Sequence, residues 1–260
     1  MLGILIATRG TLNEEARKNC LEELRLSILD RFDEAEVDFA YTDELIRKHI
    51  KEKEGIKYSS VKVAMLKMKE KGVTELIVLP VHVIAGDDYT SMSSDVASCA
   101  GVFNRIRVAG PLVEFEQDFD LCARAFVSTF KERVGDGTLI LMGRGSAIEE
   151  TEETFLLFEE KLKEYFGGRA YICTIEGKRN LSRVLYEMKK NGNEGKTVVV
   201  PFMFLVEDYI LEHLNSGENS YEDRLRAQGY EPECVENGIG EYEDFHRLYL
   251  KHLYDAIRKG

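Results

Sequence analysis

LPVHVIAGDDY (residues 79–89) and VPFMFLVEDYI (residues 200–210) are two versions of one segment, in which an apolar run passes through a proline to acidic residues. Each version follows a stretch with helical spacing that ends in glycine, VKVAMLKMKEKG (61–72) and LSRVLYEMKKNG (181–192). The order of helix, strand and acidic loop therefore occurs twice, which predicts an internal duplication of the fold.

The repeat extends beyond this segment in both directions. ATRGT (7–11) matches GRGS (143–146), and EFEQDF (114–119) matches EYEDF (241–245). Strand-like and helix-like segments alternate along the chain, which predicts parallel sheets covered by helices. The predicted strands are ILIAT (4–8), VDFAYT (37–42), ELIVLPVHVI (75–84), RIRVAG (105–110), TLILMG (138–143), RAYICTI (169–175), KTVVVPFMFLV (196–206) and EPECVE (231–236).

We therefore predict an α/β fold with two similar lobes, each a parallel β-sheet flanked by helices. The boundary is expected near residue 134, which gives lobes at residues 1–134 and 135–260. Ligands bind open parallel sheets beyond the carboxyl ends of the strands, where the strand order reverses. The loops after the first and third strands of each lobe are thus predicted to line a cleft.

Composition excludes several classes of function. The formal net charge of −12 disfavours nucleic acid and anionic membranes as partners. No apolar run approaches the length of a membrane helix and MLGILIATRG lacks a signal-peptide pattern, so we expect a cytoplasmic protein. Five isolated cysteines signal neither a disulfide framework nor a zinc site, and they are expected to be small core residues.

The two RG(T/S) loops are candidates for anion binding. A glycine lets the backbone turn after a buried strand, and an arginine and a hydroxyl then lie near the start of a helix. The predicted substrate-binding residues are Thr8, Arg9, Thr11, Arg144 and Ser146. The alternative is that each arginine ties down its own loop by bonding carbonyl oxygens.

The acidic loops could supply oxygen ligands to a divalent metal, or bases for protons that leave a ligand nitrogen. Asp88 and Glu207 are the candidates, because Asp87 and Asp208 are expected to cap the following helices. Tyr209 and His213 are four residues apart and would share one helical face, although His213 is equally compatible with simple solvent exposure. The predicted metal ligands are Asp88, Glu207 and His213.

The remaining histidines carry weaker signals. His82 lies within an apolar run and is expected to be a hydrogen-bonded core residue. His49, His246 and His252 lie on charged helical faces, where no specific role is expected.

These motifs, in this order, resemble the anaerobic sirohydrochlorin cobaltochelatases, the CbiK-type class II tetrapyrrole chelatases. The resemblance is carried by ILIATRGT, LPVHVIAGDDY, LMGRGS and VPFMFLVEDY, and also by YTDELIRKHIKEKEGI and GPLVEFEQDF. It implies a chelatase-like fold of two similar lobes and insertion of cobalt(II) into a polycarboxylated tetrapyrrole without ATP. It also implies a metal held between two histidines and an acidic residue.

Residue by residue, the resemblance places Arg144 and Tyr209 where the family has its two histidines, and Asp88 where it has a glutamate. An arginine cannot ligate a metal, and it repels an approaching dication. Tyr209 as phenolate could ligate haem iron. The predicted catalytic residues are Asp88, Glu207, Tyr209 and Arg144.

Two functions follow from these residues. The first is ATP-independent insertion of a divalent metal, cobalt or else nickel or iron, into sirohydrochlorin on the route to cobalamin. The alternative is a non-catalytic carrier of haem or another tetrapyrrole, with Tyr209 as axial ligand and the arginines on propionates. The sequence has no nucleotide-binding loop, so neither ATP nor an organic cofactor is expected, and a homo-oligomer is compatible with either function.

Overall fold

The protein forms two four-stranded parallel sheets in a computed structural model that describes residues 1–258. The strand order is β2-β1-β3-β4 in the first sheet and β6-β5-β7-β8 in the second, so the two orders are equivalent. The strands are β1 Leu2–Thr8, β2 Glu36–Tyr41, β3 Glu75–Pro80, β4 Arg105–Val108, β5 Thr138–Gly143, β6 Ala170–Thr174, β7 Lys196–Pro201 and β8 Glu231–Cys234.

Helices connect the strands throughout. The α-helices are α1 Glu14–Ala16, α2 Glu23–Leu29, α3 Glu44–Glu54, α4 Val61–Glu70, α5 Asp87–Ala97, α6 Glu116–Val134, α7 Glu149–Tyr165, α8 Leu181–Lys190, α9 Asp208–Leu211, α10 Tyr221–Ala227 and α11 Glu243–Arg258. Arg17–Glu22 and Glu212–Ser216 are π-helical, and Ile239–Glu241 is a 3₁₀ turn. No helix within residues 1–258 combines the length and apolar character that a membrane crossing requires.

The equivalence of the sheets extends to the packing of the helices on them. Helix α4 buries Val61, Ala64, Met65 and Met68 at helical spacing, and they join the core that covers β1 and β3. Helix α8 repeats this pattern in the second sheet, where Leu181, Val184 and Met188 are fully buried. The predicted duplication and α/β fold are thus confirmed.

The chain divides into two compact units, but not at residue 134. The first unit is Met1–Leu112 together with the chain from His246 onwards, and the second unit is Val113–Phe245. The long helix α6 belongs to the second unit, where its Phe126 packs against the aromatic rings of Phe158, Phe202 and Phe245. The predicted lobes were 1–134 and 135–260. They differ from the observed units in two helices, because α6 belongs to the second unit and most of α11 belongs to the first.

Two predicted strands were too long. Strands β3 and β7 end at Pro80 and Pro201, whereas the apolar runs continue to residues 84 and 206. After each proline one more backbone bond forms, from Val81 to Ala7 at 2.9 Å and from Phe202 to Met142 at 2.8 Å, and the chain then bends away. The residues that follow are largely buried without strand pairing, which is why their apolar character suggested a longer strand.

Candidate functional site

The reversal of strand order places the candidate residues at the carboxyl end of each sheet. Strand β1 pairs with β2 on one side and with β3 on the other, and β5 likewise lies between β6 and β7. The loops after β1 and β3, and after β5 and β7, therefore begin beside each other within their own units. These are the four loops that the sequence indicated.

The loops after β1 and β5 have the same conformation. Gly10 and Gly145 have positive φ angles of +98° and +101°. The Thr11 hydroxyl accepts the Asn13 amide at 3.1 Å, and the Ser146 hydroxyl accepts the Ile148 amide at 3.1 Å. These hydroxyls therefore shape the loops.

Thr8 and Thr11 are more enclosed than the sequence suggested. Thr8 is 4% exposed and its hydroxyl accepts the Gly10 amide at 3.2 Å, while Thr11 is 0% exposed. Both side chains contribute to the turn after β1. Their contact with a substrate stays a prediction.

The two glycines are required by close approach as well as by φ. A Cβ on Gly145 would lie 2.0 Å from the carbonyl oxygen of Glu176, and one on Gly10 would lie 2.4 Å from Cδ2 of Tyr41. The Gly10 loop thus crosses directly over the last residue of β2, and the Gly145 loop crosses over the segment that follows β6.

Arg9 is oriented by two carboxylates of the first unit. Its Nη2 atom lies 2.8 Å from Oδ2 of Asp43, and its Nη1 atom lies 3.6 Å from Oδ2 of Asp88. Asp43 also caps α3, because its side chain accepts the amide of Ile46 at 3.0 Å. The three charged groups carry a net charge of −1, which favours an approaching cation.

Arg144 has an acidic neighbour at the equivalent place in the second unit. The Glu176 amide donates to the Arg144 carbonyl at 2.8 Å, as the Asp43 amide donates to the Arg9 carbonyl at 3.3 Å. Sequence reasoning missed both Asp43 and Glu176. The signal that could have found them is strand register, because both acids follow strands that pair directly with β1 and β5.

The acidic loops begin their helices one residue earlier than predicted. Gly86 and Glu207 occupy the N-cap positions, and Asp87 and Asp208 are the first helical residues of α5 and α9. The predicted capping by these two aspartates was therefore wrong. Asp87 and Asp88 lie in the first turn of α5 and Asp208 lies in the first turn of α9, where a carboxylate interacts favourably with the helix dipole.

Tyr209 and His213 share one face, as predicted. Their ring centroids are 6.3 Å apart and the rings are perpendicular. His213 is exposed and lies in the π-helical segment after α9, whereas the Tyr209 side chain is half-buried and its hydroxyl oxygen is buried.

His82 differs from its prediction. Its ring lies edge to face with the ring of Tyr89, with centroids 6.1 Å apart, and both ring nitrogens are buried with no hydrogen-bond partner among the described residues. Burial lowers the pKa of His82 to about 4, while the nearby Asp88 carboxylate acts in the opposite direction. The imidazole is therefore neutral at pH 7.

The other histidines and the cysteines have no assigned role in the candidate site. His49 is exposed, but His246 and His252 are only 6% and 9% exposed, which corrects their placement on charged surfaces. None of the five cysteines is part of a disulfide, and burial raises the pKa of the Cys173 thiol to about 12. Four of them are buried, as expected of small core residues, whereas Cys234 is half-buried.

A cavity of about 300 Å³ adjoins the Arg144 loop within the second unit. It is lined by Gly145, Ser146, Ala147, Ile148, Glu149, Thr151, Glu152, Phe155, Thr174, Glu176, Gly177, Lys178 and Arg179. Beneath it, Arg179 and Glu159 form an ion pair in which each side chain is 2% exposed. Glu159 also accepts a hydrogen bond from the Ile172 amide at 2.7 Å, so this ion pair is connected directly to the backbone of β6.

Comparison with known proteins identifies the family. The family model for cobalt chelatase (CbiK) matches residues 2–258. The chain belongs to the CbiK cobalt chelatase family.

Curated relatives agree with this assignment, and a solved structure supports the fold. The chain is 26% identical to sirohydrochlorin cobaltochelatase CbiKC of Nitratidesulfovibrio vulgaris, over 98% of this chain and 90% of the relative. It is 20% identical to sirohydrochlorin cobaltochelatase of Salmonella typhimurium, over 98% of this chain and 96% of the relative. The structure of SirB from Bacillus subtilis with Fe3+ has a TM-score of 0.68 at 15% identity, covering 99% of this chain and 96% of that chain, and it supports the fold.

Among residues 1–258, no three His, Cys, Asp or Glu side chains are grouped as a ready metal site. The assignment of Asp88, Glu207 and His213 as metal ligands stays a prediction. The replacement of the family's two histidines by Arg144 and Tyr209, which the resemblance implied, stays a prediction, and so do the catalytic roles of Asp88, Glu207, Tyr209 and Arg144.

Proposed function

We propose that this member of the cobalt chelatase family inserts a divalent metal, cobalt first, into sirohydrochlorin without ATP. Two curated relatives, each matched over nearly their whole length, are named sirohydrochlorin cobaltochelatase. The feature of this chain that carries the proposal is the recurrence of one arginine loop, with an acidic neighbour, at the carboxyl end of each sheet. A ligand with several carboxylates suits two such arginines.

The arginines serve the macrocycle rather than the metal. A guanidinium binds a carboxylate through two parallel N–H groups, and it has no lone pair to offer a cation. Arg9 is already oriented by Asp43, so its fork is held in place before substrate binds. Arg9 and Arg144 are therefore assigned to peripheral carboxylates of the tetrapyrrole.

The acidic residues are assigned to the exchange of two pyrrole protons for one divalent metal ion. When a dication enters the macrocycle, two protons leave its pyrrole nitrogens, and charge balances with no further reactant. Asp88 and Glu207 are assigned to attract the metal and to receive these protons. Each lies at the start of a helix that follows the third strand of its sheet.

The alternative function, a haem carrier, assigns a different role to Tyr209. A haem carrier would use the phenol of Tyr209, whose half-buried ring lies beside His213, as axial ligand to iron. The insertion function is preferred because both curated relatives are named sirohydrochlorin cobaltochelatases. Both functions are distinguished by the same titration.

The experiment is an anaerobic optical titration of the purified protein with sirohydrochlorin and, separately, with haem. Co(II), Ni(II) and Fe(II) are then added to the sirohydrochlorin samples. Faster metal-dependent spectral change than in a protein-free control supports insertion, and the fastest metal identifies the preferred substrate. Tight haem binding without any acceleration of insertion would overturn the proposal in favour of the carrier.

A further inference from the structure

His82 carries a polar ring at a position where the fold itself needs none. The duplicated unit places Met203 at the equivalent position, two residues after the proline that ends the third strand. The backbone around the two residues is the same: the His82 carbonyl accepts the Leu112 amide at 2.9 Å, and the Met203 carbonyl accepts the Ile239 amide at 2.9 Å. An apolar side chain is therefore sufficient for the architecture.

The ring is nevertheless kept in an unfavourable state. A buried polar atom without a hydrogen bond destabilises a fold, and both ring nitrogens of His82 lack one among the described residues. Such groups in native proteins call for an explanation, and a bound ion is one that fits this site. The backbone of His82 is fixed as well, since the Tyr249 hydroxyl lies 3.5 Å from its carbonyl oxygen.

The surroundings of the ring suit a metal cation. Asp88 directly precedes Tyr89, whose ring lies edge to face with the His82 ring at a centroid distance of 6.1 Å. Arg9, which contacts Asp88 at 3.6 Å, is also held by Asp43 at 2.8 Å, so it can release one carboxylate and stay paired. Imidazole nitrogen with carboxylate oxygen is a suitable donor pair for divalent cobalt, nickel and iron.

We propose that His82 is a nitrogen ligand which, with Asp88, holds the divalent metal before it is transferred to the macrocycle. This inference deepens the proposed function and rests on it. Two protein ligands suit a metal that must leave again, because the remaining positions stay open for water and for the macrocycle.

The test uses the full chain with Co(II) alone, without tetrapyrrole and under anaerobic conditions. Pulsed EPR of the cobalt complex detects coordinated imidazole nitrogen, and optical titration gives the dissociation constant. The variant His82→Met copies the residue of the duplicated unit, so it is expected to fold. His49→Gln is the matched control, because His49 is an exposed histidine on α3.

The wild type and His49→Gln should show an imidazole-nitrogen signal. His82→Met should lose this signal and bind Co(II) at least about tenfold more weakly. Asp88→Asn should weaken binding while the nitrogen signal persists. A nitrogen signal of wild-type strength in His82→Met, or none in the wild type, overturns the inference.

The two experiments distinguish failure of the proposed function from failure of the His82 assignment. If the wild type inserts cobalt into sirohydrochlorin but His82→Met keeps the nitrogen signal, the function holds and the role of His82 is wrong. If cobalt binding depends on His82 but no macrocycle is metallated, the ligand assignment holds and the insertion function is wrong.

Discussion

Arg9 shares its guanidinium between Asp43, 2.8 Å away, and Asp88, 3.6 Å away. Asp43 thereby combines two tasks, since the same carboxylate caps helix α3. A structural contact and a contact of the candidate site thus depend on one side chain. Substitutions at residue 43 can separate them.

We expect Asp43→Asn to leave stability nearly unchanged, because asparagine caps helices as well as aspartate. Asp43→Ala should lower the free energy of unfolding by about 1 kcal/mol, since the cap to Ile46 is lost. Urea unfolding of both variants measures the difference. Equal losses would show that the ion pair with Arg9, and not the cap, provides the stability.

The arginines are expected to affect substrate affinity. Arg9→Gln and Arg144→Gln should each raise KM for sirohydrochlorin by about tenfold or more, because a charge-assisted bidentate contact is lost. Arg→Lys at either position should recover only part of the loss, since lysine keeps the charge but not the fork. Steady-state insertion kinetics measure both effects. An unchanged KM in both Gln variants would contradict the assignment to peripheral carboxylates.

Gly145→Ala should strongly destabilise the second unit. The residue has a φ of +101°, and the new Cβ would lie 2.0 Å from the carbonyl oxygen of Glu176. The left-handed conformation alone costs about 1–2 kcal/mol, and the clash adds to it. Gly72→Ala is the control, because Gly72 has a φ of +90° but, apart from its own chain neighbours, no described residue has an atom within 4 Å of its Cβ position. Thermal unfolding should show the larger loss at Gly145.

The periodic parts of the fold could be predicted from the sequence. The helical spacing of VKVAMLKMKEKG (61–72) and LSRVLYEMKKNG (181–192) predicted two equivalent helices, and both form, as α4 and α8. What could not be predicted depends on three-dimensional neighbours. Asp43 and Glu176 join the arginine loops only through the register of parallel strands, which lie far apart in sequence.

Some predictions from the sequence were wrong because one sequence pattern can have two structural causes. The apolar runs after Pro80 and Pro201 look like strand, although those residues are buried by packing alone. Aspartate before a helix suggests a cap, but Gly86 takes that position in α5. His82 could be placed in an apolar environment from sequence, whereas the lack of a partner for its ring nitrogens among the described residues could not.

The buried ion pair between Arg179 and Glu159 should be sensitive to loss of one partner. Both side chains are 2% exposed, so Arg179→Met leaves a buried carboxylate whose remaining ion-pair partner among residues 1–258 is Lys163, 2.8 Å away. We expect the free energy of unfolding to fall by about 3–5 kcal/mol. Arg183→Met is the control, because Arg183 is paired on the surface and its loss should cost less than about 1 kcal/mol. Urea unfolding tests both, and similar losses would contradict a special role for burial.

His82 should make stability depend on pH. Burial lowers its pKa from 6.5 to about 4, so in this window the unfolded chain binds a proton that the folded chain excludes. The free energy of unfolding should therefore fall as the pH decreases from about 6.5 to 4, by up to about 3 kcal/mol from this group. Above pH 6.5 the ring is neutral in both states and contributes no pH dependence.

His82→Met removes both the unpaired nitrogens and this titration. At pH 7 the variant should be at least as stable as the wild type, because no buried polar atom is left without a partner at residue 82. At pH 4.5 its advantage should be larger, since only the wild type loses stability through His82. Urea unfolding at both pH values measures the change, with His49→Gln expected to follow the wild type. Parallel pH profiles for His82→Met and the wild type would show that the ring is not held neutral by burial.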